Sequence, residues 1–185
     1  MGGFLAHTET IRACPAVHND GTIAPMQVEN TTGGGRKRRA YSYRDDPAVP
    51  QFADDRPLIV FDGHCAFCSG WAGVVLRHDH ADRFRLLRAQ SPLGMALYRH
   101  YRLDPVNYET NLLIADGCVW LKSEGSIQMA EGLGLPWSLA AGFRILPRRL
   151  RDALYDLVAR NRFRIGGRRT VCYAPPGESR DKFLG

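Results

Sequence analysis

Between Pro57 and Leu121, short apolar runs alternate with stretches whose apolar positions recur at helical spacing. Leu58-Ile59-Val60-Phe61 is a continuous apolar run, the pattern of a strand buried on both faces, and it stops at the turn signal Asp62-Gly63. Phe67, Trp71, Val74 and Val75 then fall at helical spacing. Phe84-Arg85-Leu86-Leu87 predicts a second strand, and Ser91-Pro92 supplies the N-cap and first-turn proline of a helix reaching Tyr101. Asn111–Ala115 and Cys118–Leu121, joined by Asp116-Gly117, predict a hairpin. A helix over 126–133 follows, then a Pro-bounded apolar segment over 136–147. The last helical stretch is Arg148–Arg160, where Leu150, Leu154, Leu157 and Val158 line one face.

The order is strand, helix, strand, helix, hairpin, helix and further helices. Alternating strands and helices favour parallel pairing with a right-handed crossover, and the closing hairpin adds antiparallel edges. The expected fold is α/β: a thioredoxin-like mixed four-stranded sheet flanked by helices, with extra C-terminal helices. Residues 1–56 have few periodic apolar positions and a Gly-Gly-Gly-Arg-Lys-Arg-Arg stretch at 33–39, so they are expected to form a disordered or weakly ordered tail. The folded domain is expected to span 57–185.

Composition narrows the class without choosing a function. The chain has 185 residues, 44% hydrophobic and 24% charged, which excludes wholesale disorder and collagen-like repetition. Five cysteines are too few for a disulfide-built mini-protein. No stretch approaches the roughly 20 apolar residues that span a bilayer, and the N-terminus lacks the basic start and apolar core of a secretory signal. A reducing, cytoplasmic location is therefore expected. Net charge is +6, all of it in 57–185. Arg144, Arg148, Arg149, Arg151, Arg160, Arg162, Arg164, Arg168 and Arg169 face only Asp152 and Asp156 in that part of the sequence. Such a face can meet nucleic acid, an anionic membrane surface or an acidic protein, but no nucleic-acid motif is present, and a solvated helix face is the favoured reading.

The chemistry concentrates at the first strand-helix junction. Cys65 and Cys68, three apart, share one helix face, and their sulfurs can close a disulfide. A cysteine at a helix N-terminus has its thiolate favoured by unpaired N–H groups and the helix dipole. Cys65 is thus expected to be the exposed nucleophile, and Cys68, deeper beside Phe67 and Trp71, the resolving thiol. His64 is an auxiliary candidate that adds positive charge when protonated. Asp62 either relays a proton or caps the helix, and capping is favoured. A zinc site would need a second ligand pair, whereas Cys14, Cys118 and Cys172 are scattered along the sequence; a c-type haem would need His where Ser69 stands. No metal and no cofactor are expected.

Asp62-Gly63-His64-Cys65-Ala66-Phe67-Cys68 resembles the Asp-x-x-Cys-x-x-Cys signature of the DCC family of predicted thiol-disulfide oxidoreductases. The stretch from Leu150 through Arg168, Arg169 and Cys172 resembles that family's C-terminal end, so the likeness covers about 57–184. The resemblance implies a thioredoxin-like fold and a dithiol/disulfide site at Cys65 and Cys68, with Asp62 as third signature residue. Two departures from ordinary thioredoxins stand out. Thr110-Asn111 occupies the place of their substrate-docking cis-proline, and Cys-Ala-Phe-Cys replaces Cys-Gly-Pro-Cys. The expected function is a thiol-disulfide oxidoreductase of protein-disulfide reductase type, with the direction of electron flow open. Its expected partners are a disulfide-containing protein or a small thiol, recycled by an undefined reductant, with no specific nucleic acid and no membrane span. The competing reading is a non-catalytic thioredoxin-like module using the Arg-rich C-terminal face. Cys172 is expected to be a structural thiol in a loop.

Overall fold

The computed structural model describes residues 39–174 and 177–184. Four strands form one sheet: β1 (Leu58–Phe61), β2 (Arg85–Arg88), β3 (Leu112–Ala115) and β4 (Cys118–Leu121), in the order β2-β1-β3-β4. β1 pairs parallel with β2 and antiparallel with β3, and β3 pairs antiparallel with β4. Every residue of β1 is buried, as its unbroken apolar run requires of a strand with neighbours on both edges and helices on both faces. This is the thioredoxin-like arrangement expected from the order of elements.

The helices divide between the two faces. α2 (Pro92–His100) packs Leu97 and Tyr98 against Leu58, Val60, Leu112 and Ile114. α1 (Ala66–His78) and α3 (Lys122–Gly132) cover the opposite face, where Ala72, Val75 and Met129 meet Ile59, Phe61, Leu86 and Leu113. Local signals hold where they are strong. Ser91 Oγ accepts from Gly94 N at 3.0 Å as the N-cap of α2. Asp116 and Gly117 both take positive φ, 50° and 73°, as the tight hairpin turn demands. α3 begins at Lys122, directly after β4, rather than at 126. The Pro-bounded segment is a 3-10 stretch, Trp137–Ile145, and α4 runs Arg148–Ile165, one turn and more beyond the expected end.

Order does not begin at Pro57. Tyr43 and Val49 are buried in the same cluster as Leu58 and Leu121, with Tyr41 and Phe52 packed against it. Tyr41 N donates to Gly117 O at 2.9 Å, and a Cβ at Gly117 would lie 2.5 Å from the Tyr41 ring. The segment is tied at its far end by Arg44, which forks onto Asp54 at 2.8 and 2.9 Å. Its apolar residues follow no helical or strand period, so pattern alone could not place them in the core. The remainder of the expected tail, residues 1–38, lies outside the described residues, as does Cys14.

Tyr43 fills core volume and also donates to Asp54 at 2.8 Å. Tyr43→Ala is therefore expected to cost about 3 kcal/mol in chemical denaturation. Deleting residues 1–56 should cost at least as much, whereas a tail that merely trailed from Pro57 would leave the unfolding midpoint unchanged.

Candidate active site

The carboxyl end of β1 turns into α1 through Asp62, Gly63 and His64. Asp62 does not cap the helix. Its Oδ1 accepts from His64 N at 2.9 Å, closing an Asx turn, and from Gln90 Nε2 at 2.6 Å, while its backbone oxygen accepts from Cys65 N. The cap is Cys65 itself: in extended conformation, it accepts from Cys68 N at 3.2 Å through Sγ. A helix start is capped by a side-chain acceptor for its free N–H groups, and here that atom is the first cysteine's sulfur.

The two thiols are driven in opposite directions. The Cys68 side chain donates to Cys65, and this bond, with the Cys68 backbone N–H, lowers the Cys65 pKa from 9.0 to about 7 against the opposing pull of burial. Cys68 moves strongly upward because it gives up that proton only at the expense of the same bond, and because it is buried. The cation bearing on both sulfurs is Arg162 of α4, whose guanidinium stands 3.6 Å from Asp62 Oδ2, both side chains being more than nine-tenths buried. Arg162 also donates to Ala159 O at 3.1 Å and to Asn107 O. His64 contributes its backbone: its carbonyl accepts from Arg169 N at 2.7 Å.

Cys65 is not exposed. Its accessibility is 0%, against 6% for Cys68, because residues 166–173 fold back as a strap over the site. Gly167 O accepts from Ala66 N at 3.2 Å, Arg169 N donates to His64 O, and Tyr173 N donates to Gly63 O at 3.0 Å. Cys172 belongs to this strap, with Sγ 3.9 Å from Gln90 Oε1 and 2.5 Å from where a Cβ on Gly63 would sit. Gly166 lies against Phe67, where a Cβ would come within 2.8 Å of the Phe67 backbone. Sequence reasoning placed Asp62, His64, Cys65 and Cys68 together, but missed Gln90, Arg162 and the strap. The compositional hint for the last was the arginine-rich run after Phe163.

Part of the arginine excess is spent on ion pairs within the fold. Arg144 and Arg151 pair with Glu124 of α3 at 2.7 and 3.1 Å, and Arg148 pairs with Asp152 at 3.3 Å. The basic face expected from sequence therefore shrinks, because acidic partners come from α3 as well as from α4. At the place of the thioredoxin cis-proline, Thr110 O accepts from Tyr98 Oη at 2.5 Å and Asn111 N donates to Tyr155 Oη at 3.3 Å, so the backbone there is already engaged.

Beside Cys68 opens a cavity of about 960 Å³, walled chiefly by Trp71, Ile127, Phe143, Leu146 and Val158. Three buried side-chain N–H groups on its lining residues, Trp137 Nε1, Arg151 Nε and Arg162 Nε, have no acceptor among the described residues. The cavity suits an apolar group carrying a hydrogen-bond acceptor. Among the described residues, no three His, Cys, Asp or Glu side chains converge as metal ligands.

Two measurements test this geometry. Alkylation of Cys65 by iodoacetamide should titrate with a midpoint near pH 7, and Cys68→Ala, which removes the chief hydrogen bond, should shift the midpoint upward. Gly166→Ala should lift the strap from Phe67 and speed alkylation at every pH without moving that midpoint; an unchanged rate would mean that the strap does not limit access.

A family profile described as "DCC1-like thiol-disulfide oxidoreductase" matches residues 59–168. The Bacillus subtilis protein YuxK, itself described as uncharacterized, is 28% identical over 127 residues, covering 69% of this chain and 93% of its own. A chloroplastic DCC family protein of Arabidopsis thaliana is 32% identical over 120 residues, covering 64% of this chain and 70% of its own. No solved structure matches. With the profile spanning more than half the sequence, the chain belongs to the DCC1-like thiol-disulfide oxidoreductase family.

Proposed function

We propose that Cys65 and Cys68 form a dithiol/disulfide couple of protein-disulfide reductase type, with Cys65 as nucleophile and Cys68 as resolving thiol. The observation that carries this is the opposed polarisation of the two sulfurs, the first capping α1 and the second donating its proton toward the first. The Cys65 thiolate attacks one sulfur of a substrate disulfide, forming a mixed disulfide and expelling the other sulfur as a thiolate. Cys68 then loses its proton and attacks Cys65, releasing the second substrate thiol and leaving the Cys65–Cys68 disulfide. Two electrons pass to the substrate, and an external dithiol returns the couple to its reduced form.

Asp62 and Arg162 are the charged groups acting on both thiols, and the carboxylate's negative charge raises the pKa of each. In this scheme Asp62 receives the Cys68 proton during resolution, while Arg162 keeps the carboxylate stable in its buried position. The Thr110 carbonyl and the Asn111 N–H are already bonded to Tyr98 and Tyr155, which disfavours thioredoxin-style docking of a peptide there. Substrate recognition falls instead to the apolar cavity beside Cys68 and to displacement of the strap.

Cys65→Ser should abolish disulfide reduction, and Cys68→Ser should accumulate a mixed disulfide visible by mass spectrometry. A Cys68→Ser protein that released substrate as fast as wild type would reverse the assigned roles. Asp62→Asn should lower the Cys65 pKa, because a negative charge is removed, yet prolong the mixed disulfide by roughly two orders of magnitude or more. Stopped-flow kinetics separates these two effects.

A further inference from the structure

α4 is inverted relative to an ordinary surface helix. An amphipathic helix turns its apolar stripe toward the core, yet here the buried residues are Asp152 and Arg162, and the leucines face outward. Every exposed position of the helix is either apolar or arginine: Arg149, Leu150, Ala153, Leu154, Leu157, Val158, Arg160, Arg164 and Ile165. Leu150, Leu154, Leu157, Val158 and Ile165 fall within an arc of roughly 100° at the helical step. Arg149, Arg160 and Arg164 flank that arc on one side and make no ion pair or hydrogen bond among the described residues. The adjoining 3-10 stretch continues the apolar surface with Leu139, Phe143 and Ile145, the last 89% exposed.

The inversion has a local cause. The inner face of α4 must hold Arg162 against Asp62 and Asp152 against Ser123, so its polar side is committed to the site and to α3. What remains outward is a run of aliphatic side chains too large to be incidental on a single helix. Asn161, in the middle of the arc, spends its amide N–H on Leu157 O of its own helix, so what the patch offers a partner is chiefly hydrocarbon bordered by positive charge. An anionic lipid surface provides both an apolar interior and negative charge without fixed hydrogen-bond geometry.

We propose that the outer face of α4, with the end of the 3-10 stretch, is a peripheral docking surface for an anionic membrane. The helix lies in the interfacial plane, its leucines among the upper acyl chains and Arg149, Arg160 and Arg164 at the phosphates. This is attachment to one leaflet; no helix among the described residues is long and apolar enough to cross a bilayer. The proposal does not depend on the redox roles assigned to Cys65 and Cys68, but Leu139, Phe143, Leu154 and Val158 also line the cavity beside Cys68, so the docked face includes that cavity's rim.

The test is sedimentation of the full chain with vesicles of equal phosphatidylglycerol and phosphatidylcholine, against vesicles of phosphatidylcholine alone. Binding to the anionic vesicles should exceed binding to the neutral ones and fall as salt is raised. The double variant Leu150→Glu/Leu157→Glu should lose it. Arg149→Gln/Arg160→Gln/Arg164→Gln should weaken it by roughly two orders of magnitude, at about a factor of five per arginine. None of these five side chains lines the cavity or touches Cys65 or Cys68, so thiol alkylation reports that each variant remains folded. Failure of the wild-type chain to sediment with anionic vesicles overturns the proposal, as does sedimentation indifferent to the leucine substitutions. A dimer in solution that Leu150→Glu/Leu157→Glu dissociates, with no vesicle binding, would overturn it in favour of a second copy of the chain.

Discussion

The contact between Arg162 and Asp62 joins the last α-helix to the turn that follows the first strand. It brings a buried cation to a buried carboxylate that already holds the turn before Cys65 through His64 and Gln90. A carboxylate so enclosed needs a counter-charge, and removing one partner of such a pair leaves an uncompensated charge in the interior, at a cost of about 3 to 5 kcal/mol. The orientation of α4, the outward turn of its leucines and the path of the strap that follows it all conform to where Arg162 has to be. The pair also sets opposing fields on the cysteines, since the carboxylate raises their pKa values and the guanidinium lowers them.

Much of this architecture was legible in the order of apolar runs. The continuous run at 58–61, the Ser91-Pro92 helix start and the Asp116-Gly117 turn are local features whose physics acts within a few residues, and each formed as expected. The cysteine pair at the strand-helix junction was equally legible, because spacing and position relative to the turn carry the signal. What escaped were interactions between residues far apart in sequence. Tyr43 and Val49 enter the core from an aperiodic segment. Arg162 reaches Asp62 across the whole domain, and Glu124 absorbs arginines that seemed surplus when only their own helix was considered. The burial of Cys65 was illegible for the same reason: a strap without periodicity covers it.

The helix cap resolves a tension in the site. A thiolate wants hydrogen-bond donors, a helix start wants an acceptor, and one sulfur answers both needs. The arrangement is asymmetric by construction, because the donor to that sulfur includes the second thiol, which thereby holds its proton more tightly. Each thiol's chemistry is therefore partly a property of its neighbour, and substitution of either alters both.

The backbone pairing of Gly63, His64 and Ala66 with residues 167–173 makes access to Cys65 a matter of population rather than of surface. Beyond these bonds the strap contributes an isolated bridge between Arg168 and Cys65 and no strand to the sheet, so it can part locally while the sheet stays intact. With Cys65 in the nucleophile's role proposed for it, the rate of first attack is the intrinsic rate of the thiolate multiplied by the open fraction; a strap closed roughly ninety-nine parts in a hundred would slow turnover about a hundredfold with no change at sulfur. Anything that binds the strap in its open form would raise activity by mass action alone. The reactivity of Cys65 and the opening equilibrium of the chain's last segment are in that sense one measurable quantity, seen once by chemistry and once by hydrogen exchange at Ala66 and Arg169.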